Sequence, residues 1–337
     1  MEREPRSRLF RRCCPRRGGA FGKASQLKFP DTPLVLAGAL GGPFCIFTLT
    51  PLRNALTLAS QDASKSAWEI YKCVFSGGFS SGWTGGTTPL IPACPQFCIM
   101  GPLFHMLKEA LGSVPLAVVC AAIAETTISF GSQTVNSQMA FNQQQRATGG
   151  PEVPLSNPFI PYGPGMMVHV CRNVVAMSGI RIFSPICQSL LIRLLRVMGV
   201  EMPEGLRQFV GDFVASMGAA VCSAPLNQCY NFAVTSEAYM HGSSSDRFQE
   251  LCGFLSRSYL KHGVSGEVLG LSPTLARDLM MRCAYVAMLY SLFGFIERSS
   301  GGLTQVIRNM RKRRGSEQEE EQPSVGRRAT IGVRATA

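Results

Sequence analysis

The stretch 271–296 is almost wholly apolar, yet it carries Arg277, Asp278 and Arg282. A run of that length matches a lipid bilayer, which takes about 20 residues of helix to cross. Charges inside such a run are costly, and as a rule they face a protein interior or a water-filled cavity. Five more apolar stretches of near-membrane length accompany it. Residues 33–51 carry no charge, and 89–107 carry none either but are broken by Pro92, Pro95 and Pro102. Residues 114–139 hold only Glu125, 166–195 hold Arg172, Arg181 and Arg193, and 209–234 hold only Asp212. Six segments of this kind predict an all-α membrane protein with six transmembrane helices.

The net charge of +12 suggests nucleic acid until it is divided along the chain. Residues 1–28 carry a net +7 and residues 303–337 a net +4, which leaves about +1 for 29–302. A nucleic-acid reader needs its basic face on the ordered body, so that class drops out. The basic segment 1–28 reads as a disordered arm or, equally well, as an Arg-rich mitochondrial transit peptide, with Glu2 and Glu4 counting against the second. Residues 303–337 mix an acidic run with arginines and read as a disordered charged tail.

The 13 cysteines are scattered, mostly inside apolar runs, where a free thiol behaves as a small hydrophobe. Cys94 and Cys98 are four apart, but no second ligand pair completes a zinc set, and no metal or cofactor is expected. His105 and His169 stand alone and read as polar packing or interface residues. Nothing forms a nucleophile–base pair or a phosphate loop, so the chain is not read as an enzyme.

The connections between apolar segments alternate in length. Residues 64–75 space Trp68, Tyr71 and Phe75 helically with Lys65, Glu69 and Lys72 between them, and 247–260 space Phe248, Leu251, Leu255 and Tyr259 in the same way. Both predict amphipathic helices lying flat at an interface. Residues 147–165 are rich in Pro and Gly, which argues against a third. Small residues mark the first and fifth segments, with Gly38 and Gly42 four apart on one face and Gly218-Ala219-Ala220 in a row. Such residues let helix backbones approach closely in a membrane. Pro51 and Pro225 follow these stretches and predict kinks.

One frame recurs three times. A glycine precedes a key position by seven residues: Gly86 before Ala93, Gly165 before Arg172, Gly270 before Arg277. Gly270-x-x-Pro273-x-x-x-Arg277-Asp278 is the fullest copy, and Gly86-x-x-Pro89-x-x-x-Ala93 and Gly165-x-x-Val168-x-x-x-Arg172 are weaker ones.

This pattern resembles the mitochondrial carrier family, whose members repeat a two-helix module three times around a central substrate cavity. The resemblance covers roughly residues 33–298. It implies repeats at 29–110, 111–200 and 201–302, flanked by the arm 1–28 and the tail 303–337. It places substrate contacts at Ala93-Cys94, Arg172-Asn173 and Arg277-Asp278. It also implies a monomer in the mitochondrial inner membrane, or in another organelle's membrane as some carrier relatives are, with a small anionic metabolite such as a carboxylate and the lipid bilayer as its partners. An arginine grips a carboxylate through two parallel hydrogen bonds. Asp278 need not neutralise Arg277, because neighbouring helix positions do not face each other. Arg181, Arg193 and Arg282 read as snorkelling or structural charges, and Glu125 as a cavity residue or a buried partner in equal measure.

The family closes its cavity with salt bridges between an acid and a base on each odd helix. Here the corresponding positions are Pro51, Arg53 and Leu56, then Ser132, Thr134 and Ser137, then Pro225, Asn227 and Tyr230. No acid–base pair can form among them. Hydrogen bonds from Thr134, Asn227 and Tyr230 are the expected substitute. Two functions therefore stay open: a carrier-type solute transporter alternating access around a central site, or a carrier-fold adaptor or insertion protein that no longer transports.

Overall fold

A proline two residues into a helix breaks the chain's first apolar segment. In the computed structural model, which describes residues 32–320, α1 runs over Thr32–Thr48 and α2 over Thr50–Ala59. The two meet at 54° around Leu49. Pro51 sits where its missing N–H removes no intrahelical bond, so the kink expected there forms with little backbone cost. α3 covers Ala67–Val74 and opens on a capping box, with Ser66 and Glu69 satisfying each other's backbone donors. A 3-10 turn at Phe79–Trp83 leads to α4 (Leu90–Cys98). Pro102 cannot donate to the preceding turn, and α4 passes through a π-helical turn, Ile99–Leu103, into α5 (Phe104–Leu111).

α6 is a single 35-residue helix, Val114–Thr148. Residues 150–165 contain no helix, as their Pro and Gly content implies. α7 (Met166–Ser178) starts behind Gly165, whose φ of +90° suits only glycine and whose added Cβ would sit 3.2 Å from Ala233. It continues through a π turn, Gly179–Phe183, into α8 (Ser184–Met198). α9 spans Glu204–Thr235 without a break, with Pro225 inside it. α10 (Glu237–His241) and α11 (Ser244–Tyr259) follow; α11 opens on a second capping box, Ser243 with Asp246.

Residues 260–271 form an antiparallel hairpin that the hydropathy pattern does not announce: β1 (Leu260–His262) pairs with β2 (Val268–Leu271). α12 then runs from Pro273 to Glu320. Helix therefore occupies 303–320, where the charge pattern suggests disorder. The arm 1–28 and residues 321–337 lie outside the described part.

Five helical stretches are long and apolar enough to cross a membrane, and six if the bent α1–α2 pair counts as one. They pack in chain order, α1 on α4, α4 and α5 on α6, α6 on α7, α7 and α8 on α9, α9 on α12, and α12 returns to α1. α2, α6 and α9 also touch one another across this ring. The burial pattern departs from that of a water-soluble protein, because large apolar side chains cover the outside while charged and amide groups lie inside beside an apolar core. Leu40, Phe44, Ile91, Leu190, Met280 and Phe295 face outward, while Glu125, Asn136, Gln138, Arg172 and Arg282 are buried. An apolar exterior around a polar centre is what a bilayer demands. The architecture is that of a mostly helical membrane protein.

Candidate functional site

A cavity lies at the centre of the ring, lined by every spanning helix. Arg53 and Leu56 reach it from α2, Gln96 and Phe97 from α4, Glu125, Gln133 and Ser137 from α6, Arg172 and Asn173 from α7. Asn227, Tyr230 and Asn231 come from α9, and Arg282, Tyr285 and Tyr290 from α12. The cavity volume is about 50 Å³, room for a few ordered waters. Its ionic lining is three arginines against one carboxylate, so the cavity has an excess of two positive charges.

Arg172 is the hub. Its Nη1 donates to Asn227 Oδ1 at 3.3 Å, its Nη2 to Gln133 Oε1 at 3.0 Å, and its Nε to Asn173 Oδ1 at 3.2 Å. Its guanidinium also contacts His169 and lies 4.8 Å from the centre of the Tyr230 ring. Because an arginine can only donate, these bonds fix the orientation of both asparagine amides. Asn173 must then turn its NH₂ the other way, and it donates to Glu125 Oε2 and to Thr126 Oγ1. Gln96 and Ser129 donate to the other Glu125 oxygen. The carboxylate is thus held by neutral donors, and Asn173 links it to Arg172.

Arg53 and Arg282 are held less. Arg282 donates to Ser223 at a long 3.4 Å and lies 5.6 Å from the Tyr285 ring. Arg53 Nε and Nη2 are closed off from solvent and have no partner, and neither has Asn227 Nδ2.

One end of the cavity is closed by uncharged hydrogen bonds between α2, α6 and α9. Asn136 donates to Asn54 at 3.1 Å, Asn231 donates to the Leu56 carbonyl at 3.3 Å, and Thr134 shares a 3.1 Å bond with Tyr230. Gln138 adds a bond to the Val234 carbonyl at 3.1 Å. At the other end the closure is charged. Arg181 lies 3.7 Å from Glu297 and donates to the Met100 carbonyl, while Arg298 pairs with Asp212, which also accepts from Ser184 and Gln188.

The residues expected to contact substrate separate into two groups. Arg172 and Asn173 line the cavity. Arg277 and Asp278 do not. Arg277 donates to the carbonyls of Ala59, Asp62 and Lys65, each at 2.7 Å, and so ties α12 to the C-terminal end of α2. It is also paired with Asp278 at 2.9 Å, so the neighbouring carboxylate does offset its charge. The long arginine side chain curls back along the helix and meets its neighbour's carboxylate, which Tyr259 also holds. Ala93 is fully buried and Cys94 partly so, and neither reaches the cavity; Gln96 and Phe97, one turn on, take that place.

Of the positions expected to gate or kink, Pro51 opens the bent helix and Arg53 and Asn227 line the cavity. Ser132 bonds only within its own helix, to the Ser129 carbonyl. Thr134 takes the cross-helix bond to Tyr230. Arg282, read from sequence as structural, belongs to the site. A signal for it exists: 282, 285, 286, 289 and 290 form one helical stripe, and all five line the cavity, whereas 277 is five residues before 282 and off that stripe. Among the described residues no cluster of metal-ligating side chains forms.

No known protein family matches this chain, and no curated protein matches it in sequence.

Proposed function

We propose that the protein is a mitochondrial-carrier-type transporter that moves a small anionic metabolite through the centre of its helical ring. The observation that carries this reading is the central cavity with an excess of two positive charges, contributed by Arg53, Arg172 and Arg282 against Glu125. A buried charge excess is costly in a membrane unless an anion completes it. In this reading residues 29–110, 111–200 and 201–302 are three repeats, and the closed six-segment ring supports that division.

The two closures flanking the cavity support alternating access. The neutral layer of Asn54, Thr134, Asn136, Tyr230 and Asn231 would part to open one side, and the Arg181–Glu297 and Arg298–Asp212 pairs would part to open the other. Thr134 and Tyr230 occupy positions where the resembled family sets charged partners, so hydrogen bonds replace salt bridges there. A space of about 50 Å³ is below the few hundred cubic ångströms of an ordinary ligand pocket. The described state is therefore a closed one. A monomer in the mitochondrial inner membrane fits this reading, which needs no enzyme chemistry and no cofactor.

Uptake of radiolabelled succinate and other dicarboxylates into proteoliposomes, with and without internal counter-anion, tests the proposal. Saturable uptake that collapses in Arg172→Ala supports it. If purified, folded protein moves no anion against any internal anion, transport is wrong, and a carrier-fold adaptor becomes the better account.

A further inference from the structure

The cavity's unpaired atoms are all of one kind. Among the described lining residues they are Arg53 Nε, Arg53 Nη2 and Asn227 Nδ2, three N–H donors with no acceptor and no access to solvent. A buried donor without a partner is destabilising, and in native proteins such groups are few and have reasons. The orientation of Asn227 is not arbitrary, because its Oδ1 accepts from Arg172 and so its NH₂ is the group left over. The two arginine atoms matter together. Nε and Nη2 form one edge of the guanidinium, the edge that takes the two oxygens of a carboxylate side-on.

Arg172 and Arg277 differ in this respect. Arg172 already spends Nε, Nη1 and Nη2 on Asn173, Asn227 and Gln133. Arg277 spends its donors on three carbonyls and Asp278. Glu125, the one carboxylate in the lining, is occupied by Gln96, Ser129 and Asn173, and no ion pair joins it to Arg53. Arg53 therefore lines the cavity with both donors of its bidentate edge unpaired.

Resting on the transport reading, we infer that Arg53 is the primary anchor of the transported anion, holding one carboxylate side-on with Asn227 beside it, while Arg282 meets a second carboxylate. The substrate class is then a small dicarboxylate. Arg172 is a positioning residue that sets the asparagines. The anchor comes from a position before the cavity's neutral closure on α2, one residue from Asn54 in that closure. Substrate at Arg53 thus sits against the layer that must open.

The test uses the full-length protein, with two independent readouts: succinate-dependent thermal stabilisation in detergent, and the concentration dependence of succinate exchange in proteoliposomes. Arg53→Lys keeps the charge and loses the fork, so the succinate KM should rise at least tenfold, and the monocarboxylate propionate should stay a poor ligand in both proteins. Arg53→Gln should abolish stabilisation. Arg282→Lys should weaken succinate while sparing propionate. If Arg53→Lys or Arg53→Gln fails to fold, Asn227→Ala serves in its place, with an expected weakening of several fold. Wild-type KM and stabilisation in folded Arg53 variants would overturn the anchor while leaving transport intact. Stabilisation that depends on Arg53, without any exchange, would uphold the anchor and overturn transport. Inorganic phosphate stabilising as well as succinate would overturn the dicarboxylate assignment.

Discussion

Thr134 Oγ1 and Tyr230 Oη lie 3.1 Å apart across the α6–α9 contact, both buried, and form one hydrogen bond in which either hydroxyl can donate. The bond belongs to a layer with no ionic member: Asn54, Asn136, Ser137 and Asn231 complete it through amides and hydroxyls. Neutral bonds between membrane helices are weak, about 0.6 kcal/mol on average. A closure built from them opens more readily than one that must separate buried charges.

That weakness is measurable. A double-mutant cycle of Thr134→Val and Tyr230→Phe, read as melting in detergent, should give a coupling near 0.6 kcal/mol, about the size of such bonds elsewhere. The pair Thr134→Asp with Tyr230→Lys should instead slow exchange, because opening the layer then separates a buried ion pair. Faster exchange in the charged variant would contradict the layer's role as a closure.

Arg277 is expected to matter for stability and not for substrate. Its removal strips three carbonyls at the end of α2 and leaves Asp278 buried, with Tyr259 as its remaining partner. Breaking a buried pair from one side costs about 3–5 kcal/mol. Arg277→Ala should melt far below wild type, and the double variant Arg277→Ala with Asp278→Ala should recover part of the loss. Succinate KM in whatever folded Arg277→Ala protein remains should match wild type; a rise like that expected for Arg53→Lys would return Arg277 to the site.

This contrast marks how far the sequence reaches. Apolar length locates the spanning helices, because a bilayer sets both their number of residues and their freedom from charge. Amphipathic spacing locates α3 and α11, because half of each helix is wetted. The identity of the cavity arginines depends on rotation about the helix axis, and five residues turn a side chain by about 140°. Arg277 and Arg282 look alike in sequence for that reason, and only the stripe from 282 to 290 separates them. The hairpin at Leu260–Leu271 is hidden differently. All four residues of its second strand are exposed, so no burial imprints an alternating pattern.

The small-residue face of α1 predicts a sharp positional effect. A Cβ on Gly42 would lie 2.5 Å from the Phe97 ring, which itself lies tilted 4.8 Å from the Phe293 ring, and one on Gly38 would press on the Phe97–Cys98 backbone at 3.1–3.2 Å. Gly218 on α9 meets nothing. Gly42→Ala should therefore destabilise by about 1–3 kcal/mol through overpacking. Gly218→Ala should be neutral or stabilising by up to about 1 kcal/mol, since alanine is the better helix former. Melting of the two purified variants under one detergent condition decides it.

Outside the spans, Asp62 gives a pH dependence. Burial works to raise its carboxyl, but bonds from Ser64 and the Lys65 ammonium outweigh that and hold it at about 2. An ordinary aspartate titrates near 3.9. The group is depressed on folding, so its contribution is complete above about pH 4 and is lost as pH falls from there towards 2. A third of the side chain is exposed, and solvent screening keeps the effect under about 1 kcal/mol. Asp62→Asn should lower the melting temperature slightly at pH 7 and by less at pH 3; equal losses at both would show that the charge is not what matters.

Glu125 separates stability from affinity most clearly. Everything that touches its oxygens donates: Gln96 and Ser129 on one, Asn173 and Thr126 on the other. Asn173 cannot turn round, because its own oxygen is claimed by Arg172. In Glu125→Gln the new NH₂ must face at least one of these donors, and a buried donor loses its acceptor at a cost of about 1–3 kcal/mol. The same change removes the cavity's lone negative charge, leaving three arginines unopposed, and an anion should bind more tightly. Glu125→Gln should therefore melt lower without ligand, show a larger succinate-induced rise in melting temperature than wild type, and exchange succinate with a lower KM. A variant that melts like wild type would mean the donors have other partners, and one that binds succinate more weakly would mean that Glu125 holds the arginines in place for the anion.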